Sequence, residues 1–107
     1  MKYRIILAII AKSDLREIFR YVEQNDSPEH ADKLMSGIER AITSLSAMPQ
    51  RGHCPPELER VGVHEFREIH FKPYRIIYSI HGRDVIVKSI LDGRRDMQNL
   101  LQQRLLR

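Results

Sequence analysis

The stretch from His64 to Asp96 constrains the fold more than any other part of this chain. It contains three segments rich in Ile, Val, Tyr and Phe, residue types that favour strands. Lys72-Pro73 separates the first two segments, because proline has no N–H to donate to a ladder. Gly82 separates the second and third, because glycine readily adopts the positive φ that hairpin turns require. The pattern predicts a three-stranded antiparallel meander.

The alternation of side chains along these strands predicts how the meander is covered. One face of the middle strand is entirely apolar or aromatic, with Tyr74, Ile76, Tyr78 and Ile80. The other face of the middle strand begins with Arg75 and Ile77. In the last strand, strict alternation places Val85 and Val87 on one face and Ile90 on the other. Because both faces contain apolar residues, we expect the rest of the chain to cover one of them. The second face should stay open as a mixed apolar and basic binding surface.

The N-terminal half predicts a strand followed by two helices. The apolar, β-branched run Lys2–Ile9 is typical of a strand. Ser13 or Asp14 is the expected N-cap of a first helix, in which apolar residues then recur at helical spacing. Ser27 is the expected cap of a second helix, which should run to about Met48. Two amphipathic helices with a short joint form an antiparallel hairpin.

The remaining segments complete the expected architecture. The turn-rich segment 49–62 connects the hairpin to the meander, and Met97–Arg107 predicts a short final helix with Asp96 as its cap. We therefore expect an α+β fold in the order strand, helix, helix, three strands, short helix. A small antiparallel sheet, made of the N-terminal strand and the meander, is backed by the helical hairpin. A length of 107 residues predicts a single domain, residues 1–107.

Composition argues against several functional classes. The apolar run near the N-terminus is too short to span a bilayer, so we expect no membrane association. Cys54 is the single cysteine, which rules out an internal disulfide and favours a cytoplasmic setting. It adjoins His53, but two ligands do not make a metal site. Neither a phosphate-binding glycine loop nor a nucleophile elbow is present. We therefore expect no metal and no cofactor, and the histidines are too dispersed to nominate a catalytic base.

The net charge of +4 is concentrated in the second half of the chain. Up to Met48, seven Lys or Arg balance seven Asp or Glu, whereas from Pro49 onward eleven oppose seven. Such an excess suits an anionic partner, although charge alone is equally consistent with an ordinary solvated surface. Arg75 is the most informative cation, because it lies inside a strand. We expect it either to pair with a carboxylate, such as Asp92 or Asp96, or to face a partner.

Four motifs together resemble the RelE/ParE superfamily, the toxins of type II toxin–antitoxin systems. They are KSDLREI from Lys12, MPQRG from Met48, YRIIY from Tyr74 and LDGRRD from Leu91. Each motif alone is weak, but they follow the order and spacing of the superfamily and span nearly the whole chain. The superfamily fold is a small sheet backed by a helical hairpin, in agreement with the pattern above.

The resemblance implies one of two activities. RelE-like members cut messenger RNA on the ribosome, with a basic cluster that Arg67, Arg75 and Arg95 would partly match as catalytic candidates. The tail after Asp96 has neither the Tyr nor the His common in those relatives, and Asp92 stands where many have His. RNA cleavage by acid–base chemistry needs a group that moves a proton. The resemblance therefore favours a ParE-like protein, associated with plasmid stabilization, that inhibits DNA gyrase without being an enzyme.

This hypothesis implies a cognate antitoxin, whose C-terminal amphipathic segment masks the toxin. The target would be gyrase, with the ribosome and its message as the alternative, and operator DNA would be contacted only through the antitoxin. A third hypothesis is a non-catalytic module that only titrates an antitoxin or its operator. We expect the antitoxin segment to cover an apolar patch of Ile77, Ile86 and Ile90. The residues expected to contact a target or partner are Arg67, Arg75, Tyr78, Arg94, Arg95 and Asp96.

Overall fold

The computed structural model describes residues 2–106 and confirms the α+β fold class. Its elements are β1 (Arg4–Leu7), α1 (Ile9–Asn25), α2 (Pro28–Ser44), α3 (Pro56–Glu59), β2 (Arg67–Phe71), β3 (Tyr74–His81), β4 (Asp84–Asp92) and α4 (Met97–Leu105). The predicted order is confirmed, with the short helix α3 added in the connection between hairpin and meander. Arg107, at the end of the predicted final helix, lies outside the described residues.

The sheet has the strand order β1-β4-β3-β2. Pairing is antiparallel between β2 and β3 and between β3 and β4, which confirms the meander. β1, however, runs parallel to β4, with Arg4 opposite Asp84 and Leu7 opposite Val87. The sheet is therefore mixed rather than wholly antiparallel. The chain turns into α1 directly after β1, and α1 packs across β4, which places β1 along the free edge of β4.

A bulge in β4 changes which side chains share a face. Ile77 pairs with Ser89, but the next residue, Tyr78, pairs with Val87, so Lys88 is an extra residue in the ladder. A bulge of this kind interrupts the two-residue alternation. Ile90 consequently joins Val87 in the core beneath the hairpin, and the predicted separation of these two residues was wrong.

The hairpin begins earlier than its capping residues predict. Helix α1 starts at Ile9 after Ala8, which offers no side-chain cap, so neither Ser13 nor Asp14 has the predicted capping role. The predicted cap of α2 is confirmed, because the Ser27 hydroxyl accepts the His30 N–H at 3.1 Å. Among the residues described, none of the helices has the length and apolar character needed to cross a membrane.

Both faces of the sheet are covered. The hairpin packs on one face over a core that includes Ile38, Tyr78 and Val87. On the other face, α3 and α4 cover a second core made of Leu58, Phe66, Ile77, Leu91, Met97 and Leu101. Ile77 and Leu101 are fully buried there, which stabilises the fold by about 2 kcal/mol for each such side chain. The expectation that this face forms an open binding patch was wrong, because the C-terminal helix fills it.

Candidate functional site

Arg75 lies at the centre of a charged network beneath α3. Its Nε donates to Oε1 of Glu68 at 2.6 Å, and its two terminal nitrogens donate to Glu57 at 2.9 and 2.7 Å. The exposed fractions of the three side chains are 13% for Arg75, 15% for Glu57 and 1% for Glu68. The hydrogen bonds from Arg75 lower the pKa of Glu57. Arg75 thus pairs with carboxylates, which was one of the two predicted alternatives. The carboxylates are Glu57 and Glu68, not the Asp92 or Asp96 suggested by the sequence, because α3 brings Glu57 over the strand.

The second carboxylate oxygen of Glu68 faces two histidines. Oε2 of Glu68 is 3.0 Å from Nε2 of His53 and 3.5 Å from Nε2 of His70. The backbones of His53 and Glu68 form a two-hydrogen-bond bridge, with N···O distances of 3.1 and 2.7 Å. His70 follows Glu68 by two residues on β2, which places both side chains on one face of the strand. Sequence analysis did not find this cluster, because β2 and a distant loop supply its residues.

Tyr78 anchors the loop that contains the MPQRG motif. Its side chain is fully buried, and its hydroxyl donates to the Pro49 carbonyl at 2.6 Å and accepts the Gly52 N–H at 3.1 Å. Burial raises the pKa of Tyr78. A Cβ at position 52 would lie 2.5 Å from both the Glu68 carbonyl and the Tyr78 hydroxyl, so only glycine fits there. Tyr78, predicted as a partner contact, is thus placed in the core.

The other predicted site residues lie at two places on the surface. Arg67 donates from Nη1 to the Gly52 carbonyl at 2.6 Å. Arg94 forms a two-hydrogen-bond pair with Asp92 at 2.9 and 2.7 Å, while 75% of its side chain remains exposed. Arg95 is exposed beside it, and Asp96 has its predicted role as the cap of α4. The four arginines expected to contact a target or partner are therefore divided: Arg94 and Arg95 face solvent, whereas Arg67 and Arg75 bind the protein itself.

Arg94 and Arg95 line a shallow hollow between α1 and the end of β4. Its wall includes Tyr21 and Tyr74, together with Glu17. Tyr21 is 66% exposed, whereas burial raises the pKa of Tyr74. The hollow places two arginines and two carboxylates, Glu17 and Asp92, beside aromatic surface, a combination suited to binding a planar group.

A partly buried ion pair that sequence analysis missed attaches α4 to the rest of the fold. Arg104 donates from both terminal nitrogens to the carboxylate of Asp14 at 3.0 Å and also contacts the Ser89 hydroxyl at 3.1 Å. Asp14 in addition accepts the Ile90 N–H at 2.9 Å. The helical spacing of Asp14, three residues after Ala11, could have indicated that this carboxylate lies on the covered face of α1 and needs a partner.

Comparison with known proteins identifies the family. The profile of the family described as "ParE toxin of type II toxin-antitoxin system, parDE" matches residues 5–97. The chain belongs to the ParE toxin family. The curated protein Toxin ParE3 of Caulobacter vibrioides is 33% identical over 94 residues, which cover 88% of this chain and 90% of that protein. The predicted resemblance to the RelE/ParE superfamily is confirmed.

Solved structures show the same fold. The chromosomal ParDE toxin–antitoxin system from P. aeruginosa matches with a TM-score of 0.69 at 19% identity, covering 83% of this chain and 94% of that one. The RelBE2 toxin–antitoxin complex from Mycobacterium tuberculosis matches with a TM-score of 0.58, also at 19% identity, covering 84% and 96%. At this identity the two likenesses concern the fold alone.

In this ParE-family chain, the motifs behind the resemblance have structural roles. KSDLREI supplies Asp14 to the ion pair with α4, and MPQRG supplies the loop bound by Tyr78. YRIIY supplies Tyr78 itself and Arg75 of the buried network. In LDGRRD, a Cβ on Gly93 would lie 2.9 Å from Cδ of Arg75, so glycine permits close packing. The fold therefore accounts for much of the ParE motif set, and target contact by these residues stays a prediction.

Proposed function

We propose that this chain is a cytoplasmic toxin that blocks bacterial growth by inhibiting DNA gyrase, and that a cognate antitoxin neutralises it. The observation that most strongly supports this proposal is the ParE family match over residues 5–97. The curated relative at 33% identity is itself named a ParE toxin.

The charge pattern supports inhibition by binding over cleavage of messenger RNA. Arg75, the strand arginine that would match a nuclease cluster, is neutralised by two carboxylates within 2.9 Å. The segment 97–107 supplies neither Tyr nor His, so it offers no side chain of the kind that moves a proton during RNA cleavage. An arginine bonded to protein carboxylates is poorly placed to neutralise a developing phosphate charge.

We propose the hollow at the end of β4 as the target contact. Arg95 is exposed there beside the Arg94–Asp92 pair, and Tyr21 adds exposed aromatic surface. These side chains form little of the core, so substitution should change binding more than stability.

We propose that the antitoxin segment binds along α1 and the edge strand β1. The exposed apolar residues Ile6, Ile9 and Ile10 are concentrated at this corner. Arg4 and Ala8 donate their N–H groups to the β4 side, so alternation directs those of Ile5 and Leu7 toward the open edge. A groove between α1 and α2 has an apolar floor of Leu15, Phe19 and Met35. Its rim contains three cations, Lys12, Arg16 and Arg20, and two carboxylates, Glu23 and Glu39, so one positive charge is left in excess. An amphipathic segment with acidic residues between apolar anchors would complement this surface.

The proposed function is tested by expressing the chain without an antitoxin in bacteria. Growth should stop and cells should filament, and the purified chain should inhibit supercoiling by gyrase. Arg95→Ala should remove toxicity while leaving the melting temperature within a few degrees, and exposed Arg40→Ala on α2 is the matched control. Codon-position cleavage of messages with supercoiling intact would instead support the RelE-like alternative. Antitoxin binding without any growth arrest would support the non-catalytic module.

A further inference from the structure

We infer that His53, Glu68 and His70 form a binding site for a divalent transition-metal ion such as Zn²⁺. Two imidazoles and one carboxylate form a ligand set that zinc and the neighbouring transition metals bind well, and one that magnesium and calcium rarely use. This site departs from the sequence-based expectation that the chain has no metal site.

The distances between the three ligand atoms match those of a coordination shell. A tetrahedral zinc ion with bonds of about 2.0–2.1 Å separates its ligand atoms by about 3.3–3.4 Å. Nε2 of His53 lies 3.0 Å from Oε2 of Glu68, in a hydrogen bond that an ion would replace, and Nε2 of His70 lies 3.5 Å from the same oxygen. Both distances are close to that separation. All three ligand atoms lie within 4.8 Å of one another. The centroids of the two imidazole rings are 5.4 Å apart and their planes are inclined at 78°, so the rings meet edge to face and do not stack.

The backbone fixes two of the ligands before any ion binds. His53 and Glu68 exchange two backbone hydrogen bonds across their bridge. The Tyr78 hydroxyl binds the N–H of Gly52, which precedes His53, and so immobilises the loop that presents this histidine. His70 and Glu68 lie on one strand, at positions that share a face. Ligands on one strand and on a loop bridged to that strand need little rearrangement to bind a metal ion.

Arg75 positions the carboxylate ligand. It bonds Oε1 of Glu68 and leaves Oε2 directed at the two histidines, an outer-shell arrangement common around protein metal ions. The carboxylates of Glu57 and Glu68 and the guanidinium of Arg75 together have one net negative charge. A divalent cation at Oε2 would therefore be attracted by the network. The side chains of His53 and His70 are 61% and 44% exposed, which gives an ion access from solvent.

A second group of potential ligands lies nearby but is less suited to a metal ion. Cys54, Glu59 and His64 also place their ligand atoms within 4.8 Å of one another. None of these three is buried, and the Cys54 thiol already donates to the carbonyls of Pro55 and Val63. Only the first group contains a buried carboxylate oriented by a fixed partner. We therefore assign the metal site to that group.

The site is tested with tag-free chain stripped of metal by EDTA and dialysed free of the chelator. Titration with Zn²⁺ by isothermal calorimetry, and with Co²⁺ by visible absorption, should show one equivalent bound and an increase in the melting temperature. His53→Gln and His70→Gln should each weaken zinc affinity by at least roughly 10–100-fold, the usual cost of losing even an outer-shell partner. His30→Gln, which changes an exposed histidine on α2, is the matched control and should bind as the wild type does.

Three outcomes would overturn the assignment. Unchanged affinity in both His53→Gln and His70→Gln would show that these histidines are not ligands. Loss of binding in His64→Gln, or a sulfur-to-cobalt charge-transfer band, would place the ion at the Cys54 group instead. Equal weakening in His30→Gln would indicate diffuse surface binding. Because both ligand histidines are substantially exposed, their variants should keep the wild-type circular dichroism spectrum. If one variant fails to fold, the other still tests the site.

Discussion

Replacing Arg75 distinguishes a structural role for this arginine from a role in target binding. Arg75→Ala removes all three charged hydrogen bonds of the network and leaves Glu68, which is 1% exposed, without its guanidinium partner. Breaking a buried ion pair from one side costs roughly 3–5 kcal/mol, because the remaining charge is stranded in a poorly solvated environment. We expect the free energy of unfolding to fall by that amount.

The comparison variants follow from the same geometry. Arg94→Ala removes an ion pair whose arginine is 75% exposed, so it should lower the free energy of unfolding far less than Arg75→Ala does. Arg75→Lys keeps the charge but cannot reproduce three guanidinium hydrogen bonds, so its loss should be intermediate. Adding Glu68→Gln to Arg75→Ala should recover part of the stability, since the stranded carboxylate is then neutral.

The measurement is urea unfolding followed by circular dichroism, with EDTA present so that metal binding does not contribute. A loss of 3–5 kcal/mol corresponds to a decrease in melting temperature of at least about 12 °C for a domain of this size. A loss below about 1 kcal/mol for Arg75→Ala would refute the argument and make Arg75 a candidate for target contact. If Arg75→Ala does not fold, Arg75→Lys still tests the expected ranking against Arg94→Ala.

Other contacts give equally direct expectations. Asp14→Ala leaves Arg104 without its carboxylate, so hydrogen exchange of α4 amides should become faster while β3 amides stay protected. Equal acceleration in both elements would show that this ion pair does not attach α4 separately. Gly52→Ala places a methyl group 2.5 Å from neighbouring oxygens, so the free energy of unfolding measured in urea should fall by about 1–3 kcal/mol. Wild-type stability in this variant would show that the loop shifts freely. Hydrogen bonds from Arg75 lower the pKa of Glu57 from its ordinary 4.5. That carboxylate therefore stabilises the fold above this pH and its contribution is lost as pH falls through the lowered value. Glu57→Gln should flatten the dependence of unfolding free energy on pH below about 5, and an unchanged slope would contradict it.

Local sequence determined the elements and their order. β-branched and aromatic residues around Lys72-Pro73 and Gly82 predicted the meander, because strand propensity and turn chemistry act between near neighbours. The Ser27 cap of α2 and the Asp96 cap of α4 were also predictable, since each cap bonds a backbone N–H three residues away. The motif set identified the superfamily because those motifs follow one another along the chain in a fixed order.

Tertiary structure decided what the charged residues do. Arg75 pairs with Glu57 and Glu68, and Asp14 pairs with Arg104, 90 positions away in the sequence. These pairings depend on how α3 and α4 pack on the sheet and not on local spacing. The bulge at Lys88 reversed the facing of Ile90, because one inserted residue shifts every later side chain to the other face. Long-range packing also covers the second sheet face and brings two histidines to one carboxylate. Periodicity in the sequence does not encode such packing.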